Sequence, residues 1–144
     1  MNKWSIKSTP NGLYFIDDFN KSLFWFNGES VQSLSDAKGF RTFISKESGN
    51  SEWKPEDFNN FITHYDSANR DLYFINKNKA LCYSESLGEF TSFYDYESIP
   101  LMFNGGKKNF MLKEQKLWEQ YGGDYNDFFG EIKPFYTTVV VNPE

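Results

Sequence analysis

Short bursts of apolar residues, heavy in Phe, Tyr and Trp, alternate along most of this chain with turns of Asn, Gly, Asp and Ser. Trp4 to Lys7 reads as a strand, Leu13 to Ile16 as a second, Leu23 to Phe26 as a third and Val31 to Leu34 as a fourth. Asn11-Gly12, Asp17 to Ser22 and Asn27-Gly28-Glu29 turn the chain between them, which predicts an antiparallel meander. The order then recurs in Phe61 to Tyr65, Leu72 to Ile75, Ala80 to Ser84 and Phe90 to Phe93. Leu-Tyr-Phe-Ile stands in both sets, at Leu13 to Ile16 and Leu72 to Ile75, and Asn-Lys-x-Leu follows each, ending at Leu23 and Leu81. An offset of about 58 to 60 residues marks a repeated all-β unit.

A third, fainter set runs from Ile99 to Phe103, through a turn at Gly105-Gly106, to Phe110-Met111-Leu112 and Leu117-Trp118. Its outer strand falls near Phe128-Phe129 or, preferably, at Phe135 to Val141. Between the first two sets, Ser35 or Asp36 could cap a short helix carrying Phe40, Phe43 and Ile44. Pro55 could open another helical turn, but the strand from Phe61 is preferred because its counterpart precedes Leu13. The expected fold is therefore all-β, built of antiparallel four-stranded meanders as about three propeller-like blades, with a short helical insertion after the first. The boundaries are a single domain over 1–144, units at about 1–35, 59–95 and 98–141, and an insertion at 36–58. Propellers close with about four to eight blades, so three point to copies of the same chain, to another protein, or to a longer chain of which this is a piece. The β-prone run Thr137, Thr138, Val139, Val140 and Val141 is the candidate interaction edge.

Composition agrees with strands: aromatic residues make up 20% of the 144, with 16 Phe and 9 Tyr. A formal charge of -5 argues against nucleic acid and anionic lipid as partners. No apolar run approaches the roughly 18 residues of a membrane span, and Met1-Asn2-Lys3-Trp4 does not open a signal peptide. Membrane insertion and a cleaved export signal are not expected.

Candidate chemistry is sparse. His64 is the sole histidine and Cys82 the sole cysteine, which leaves neither a triad pattern nor a zinc set, and predicts strand packing or surface for the one and a buried thiol for the other. Asp124, Asn126, Asp127 and Glu131 offer oxygen ligands without the order of a calcium loop, so a polar turn is expected. The 20 acidic residues fall mostly in turns and on polar faces, with no pair singled out for glycoside hydrolysis. Gly105-Gly106-Lys107-Lys108 lacks phosphate-loop spacing and reads as a hairpin turn. No catalytic residue, metal or cofactor is expected. Trp25, Trp118 and Tyr121 are the candidate exposed aromatics, able to stack on a sugar or a protein partner.

Several stretches together resemble a known family: Asp71 to Asn76, Leu81 to Glu85 with Leu87 to Phe93, Leu117 to Gln120, and Lys133-Pro134-Phe135 to Pro143. They are similar to the muzzle-type tail structural proteins of crAss-like bacteriophages, over roughly Gly12 to Glu144. The resemblance implies a non-enzymatic virion component, made in the bacterial cytoplasm, that assembles as a ring with copies of itself or other tail proteins and closes the tail or contacts the host surface; the alternative reading is a carbohydrate- or receptor-binding β module, with a host-surface glycan as its partner. Those proteins are far longer, so the chain would be a fragment, an excised domain or a shortened relative.

Overall fold

The computed structural model describes residues 3–17, 19–38, 61–76, 79–95, 101–124, 127–132 and 138–139. Nearly every element is a strand and every defined pairing is antiparallel. The described residues fall into two compact units, the first with 3–17, 19–38, 61–63 and 74–76, the second with 64–73, 79–95, 101–124, 127–132 and 138–139.

The first unit opens with a four-stranded sheet in chain order: β1 (Lys7–Thr9), β2 (Gly12–Asp17), β3 (Ser22–Phe26) and β4 (Val31–Ser33). Its second turn is closed by Asp17, whose Oδ1 accepts from the Phe19 amide; its third by Asn27, whose Oδ1 accepts from the amides of Glu29 and Ser30. Both are side chains standing in for a backbone turn acceptor. Gly12 has φ of 137°, and a Cβ there would run into the Phe26 carbonyl, so this position needs glycine. On one face Phe15 stacks on its partner Phe24 at 5.5 Å; on the other Tyr14 and Ile16 are buried.

The start of the chain differs from expectation. Lys3–Ser5 is a 3-10 turn, and the strand begins at Lys7. The Ser5 hydroxyl both donates to the Ile16 carbonyl and accepts from the Ile16 amide, which gives that backbone its partners without a strand at 4–6. The helix also starts earlier than predicted. α1 (Leu34–Ala37) is capped by Ser33, whose side chain accepts from the Asp36 amide, while Ser35 turns inward and accepts from the Leu23 amide. Phe40, Phe43, Ile44 and Pro55 lie outside the described residues.

The second set of strands is β5 (Ile62–Asp66), β6 (Asp71–Asn76), β7 (Lys79–Ser84) and β8 (Glu89–Asp95). They lie side by side in chain order, with one further strand at the outer edge of β8. A register shift between Cys82 and Tyr83 marks a bulge in β7. In the second unit Leu72, Tyr73, Ala80, Leu81 and Cys82 are essentially inaccessible.

The third set is β9 (Leu101–Gly105), β10 (Lys108–Lys113) and β11 (Lys116–Glu119), a sheet of three strands. Among the described residues it has no fourth strand. β12 (Asp127–Phe128) and β13 (Glu131–Ile132) form their own hairpin, and β14 (Thr138–Val139) pairs with β8, Thr138 opposite Phe93 and Val139 opposite Ser92. Of the run Phe135 to Val141 preferred as the outer strand of the third set, the described residues Thr138 and Val139 thus pair with the second set instead, and the others lie outside the described residues.

Candidate interaction surface

β5 supplies the polar centre of the second unit. His64 and Asp66 alternate with Tyr65, and all three are buried. The His64 Nε2–H donates to Asn109 Oδ1 at 2.9 Å, and the Asn104 side chain donates to the same oxygen at 2.9 Å. Asp66 Oδ1 accepts from the amides of Ala68 and Asn69, and Oδ2 from the Asn69 side chain. Burial acts to raise the Asp66 pKa, but hydrogen bonds from Asn109, Asn69 and those two amides outweigh it and hold the carboxyl below its ordinary range. The Tyr65 hydroxyl donates to Glu85 Oε2 at 2.9 Å, and burial followed by the Glu85 contact pushes its pKa up. Asp66, the Tyr65 hydroxyl and the Nε2 edge of His64 are thus each engaged in structural bonds, as in a packed polar core.

Asn109 ties that core to the sheet of β9, β10 and β11, and alternation then gives the sheet two unlike faces. Met102, Asn109 and Met111 are buried on one, where Trp118 meets the Phe129 ring edge-on at 5.5 Å and Lys113 lies 4.3 Å over the same ring. On the other, Leu101, Leu112 and Leu117 stand opposite one another across the three strands. Phe103 and Phe110 form the next row, stacked at 5.8 Å, with Glu119 beyond. This second face is open: Leu117 is 59%, Leu101 41%, Phe103 38% and Leu112 36% exposed. Phe110 leans over Gly105, where a Cβ would sit 2.7 Å from its ring. The face also carries Lys108 and Glu119, joined at 2.9 Å.

Of the aromatics singled out from sequence, Tyr121 is exposed at 68%, while Trp25 and Trp118 are half-buried. Trp25 stacks on Tyr14 at 6.3 Å and donates its indole N–H to the Asn11 carbonyl at 3.0 Å. Tyr121 turns its hydroxyl inward, 2.9 Å from that of Tyr73, and burial of that group pushes its pKa up to about 12 against the opposing Tyr73 hydrogen bond. Of the candidate edge, Thr138 and Val139 are the described residues; Thr137, Val140 and Val141 lie outside them. Asp127 accepts from the Gly130 amide at 2.7 Å, as a polar turn does. Among the described residues no group of three His, Cys, Asp or Glu is placed to hold a metal ion, and no helix is long and apolar enough to cross a membrane. Cys82 is buried, and burial pushes its thiol up to about 12.

The family profile described as Crassvirus muzzle protein matches residues 1–115. The chain belongs to the Crassvirus muzzle protein family. It is 52% identical over 143 residues to the muzzle protein of Bacteroides phage crAss001, an alignment that takes in 99% of this chain and 10% of that protein. The chain thus spans about a tenth of the length of the muzzle protein it matches. The muzzle-family match contains β9 and β10 and ends before β11, so two of the three strands of the open face fall within it.

Sequence reading did not find that face. Its signal was present: Leu101-Met102-Phe103, Phe110-Met111-Leu112 and Leu117-Trp118 are unbroken apolar runs, where a strand with one wet face alternates. Such runs imply apolar residues on both faces of a sheet. The His64 and Asp66 cluster had no comparable signal, because its partner Asn109 is 45 positions away from His64.

Proposed function

We propose that this chain is a structural, non-enzymatic part of a phage virion, a propeller-like β-module of the tail that makes protein–protein contacts, among them contacts with other copies of itself. The observation that carries this reading is the 52% identity across 143 residues to a protein named as a muzzle protein. The order β1 to β4 and β5 to β8, each a run of four strands adjacent in chain order, supports the repeated-blade part of it. The Asp66 carboxylate and the Nε2 edge of His64 are engaged in backbone and side-chain bonds, which suits a scaffold. A sugar platform needs several open ring faces, and of Trp25, Trp118 and Tyr121 the last alone is exposed.

The test is to image phage particles labelled with antibody raised against this chain. Label at the tail in every particle is expected. Intact particles without label, or label confined to the head, would remove the assignment.

A further inference from the structure

We infer that Asn11-Gly12, in the turn between β1 and β2, is a site of spontaneous modification: Asn11 deamidates through a cyclic imide, and its isoaspartyl product loosens the hairpin. Nothing in this depends on the virion reading, and the co-reactant is water. In the first step the Gly12 backbone nitrogen bonds to the side-chain carbonyl carbon of Asn11. The bond from that carbon to Nδ2 breaks, and ammonia leaves carrying the proton of the Gly12 amide. Water then opens the ring at either carbonyl, which leaves aspartate or, with the chain rerouted through the former side chain, isoaspartate. No electron is gained or lost. Glycine in the second place favours the step, because a side chain there would crowd the ring and restrict the backbone that closes it.

Asn11-Gly12, Asn27-Gly28 and Asn104-Gly105 are the three such pairs in the chain, and all three asparagines are exposed, so exposure does not choose between them. Side-chain freedom does. Asn27 Oδ1 accepts from the amides of Glu29 and Ser30, both at 2.9 Å, which holds its carbonyl toward them. The Asn104 side chain donates to Asn109 Oδ1 at 2.9 Å, and the Phe110 ring lies over Gly105. The Asn11 side chain makes no hydrogen bond among the described residues. What is fixed there is backbone: the amide donates to the Thr9 hydroxyl at 3.1 Å, and the carbonyl accepts from the Trp25 indole at 3.0 Å. Thr9 and Gly12 are the last pair of β1 with β2, and β1 is a three-residue strand at the sheet edge, so local opening frees the Gly12 amide at little cost. The isoaspartyl chain is one carbon longer at a turn without slack. A Cβ on Gly12 would already run into the Phe26 carbonyl and lie 2.8 Å from Trp25 Nε1.

The test holds the 144-residue chain at mildly alkaline pH, folded and, in parallel, unfolded in urea, and follows the three Asn-Gly peptides by mass spectrometry with isoaspartate detection. In the folded chain Asn11 should convert roughly tenfold faster than Asn27 or Asn104, and in urea, where no fold holds the other two, the three rates should come together. Conversion at Asn27 or Asn104 as fast as at Asn11 in the folded chain overturns the site. So does an Asn11 that stays intact when folded while its unfolded copy converts. Amide hydrogen exchange in β1 and β2 reads the effect on the hairpin. It should rise in the isoaspartyl fraction and stay at the wild-type level in freshly prepared Asn11→Asp, which gains the charge without the extra backbone carbon. Unchanged exchange in the isoaspartyl fraction, or an equal rise in Asn11→Asp, overturns the loosening.

Discussion

The same four residues, Leu-Tyr-Phe-Ile, form the second strand of two meanders and meet different fates. In β2, Tyr14 and Ile16 are buried while Leu13 and Phe15 are half-exposed. In β6, Leu72, Tyr73, Phe74 and Ile75 are all buried. Identical side chains cannot explain that difference, and neither can strand geometry, which sends alternate residues to opposite faces in both. The difference lies in what covers the strand. Around Tyr73 alone, His64 and Tyr94 lie at ring distances of 6.3 and 5.7 Å, and the Tyr121 hydroxyl reaches its own. One copy is a half-wet strand and the other is core.

The largest test of this contrast is truncation at the third position of each copy. Phe74→Ala is expected to cost about 3–5 kcal/mol, as for a fully buried ring. Phe15→Ala should cost about 1–2 kcal/mol, mostly the lost stacking on Phe24 and part of its burial. Urea unfolding of the two variants measures the gap, and equal costs would erase the distinction between the copies.

The turn carboxylates come next. Asp66 is buried and accepts from two amides and two Asn side chains, whereas Asp17 is half-exposed at its turn. Asp66→Ala should cost about 2–3 kcal/mol and Asp17→Ala about 1 kcal/mol or less. Because the folded-state pKa of Asp66 is lowered, its contribution is complete above the ordinary carboxylate value of about 3.9 and drains away as pH falls through the folded value. Asp71 works in the opposite sense: burial raises its pKa, so its share is present at low pH and lost as pH rises through the folded value. An acid titration of stability that is no shallower in Asp66→Ala than in wild type would show that the Asp66 bonds contribute little.

The smallest effect on stability is the most direct probe of exposure. Cys82 in β7 stands at the position that Phe24 holds in β3, counting from the shared Asn-Lys-x-Leu strings. With its thiol pushed up to about 12, Cys82 should resist a disulfide exchange reagent at mildly alkaline pH until the chain unfolds. A thiol placed by Phe24→Cys in a Cys82→Ser background should react in the folded protein. Rapid native labelling of Cys82 would mean that the second meander opens locally.

What the sequence determined was the strand content, the order of the first two meanders and most of their turns. These depend on neighbours in the chain: Asp17, Asn27 and Asp66 each bond amides two or three residues ahead, and period-two burial follows from strand geometry itself. It also carried, in the unbroken apolar runs around Met102 and Met111, the sign of a sheet with two apolar faces. The tertiary structure decided the rest. It set which copy of Leu-Tyr-Phe-Ile became core, sent Thr138 and Val139 to β8 in place of the third sheet, and joined His64 to Asn109. It also left Leu101, Leu112 and Leu117 in the open. Each of those outcomes turns on a partner that is distant in sequence, and hydrophobic burial and strand pairing have no code for such a partner in the local string.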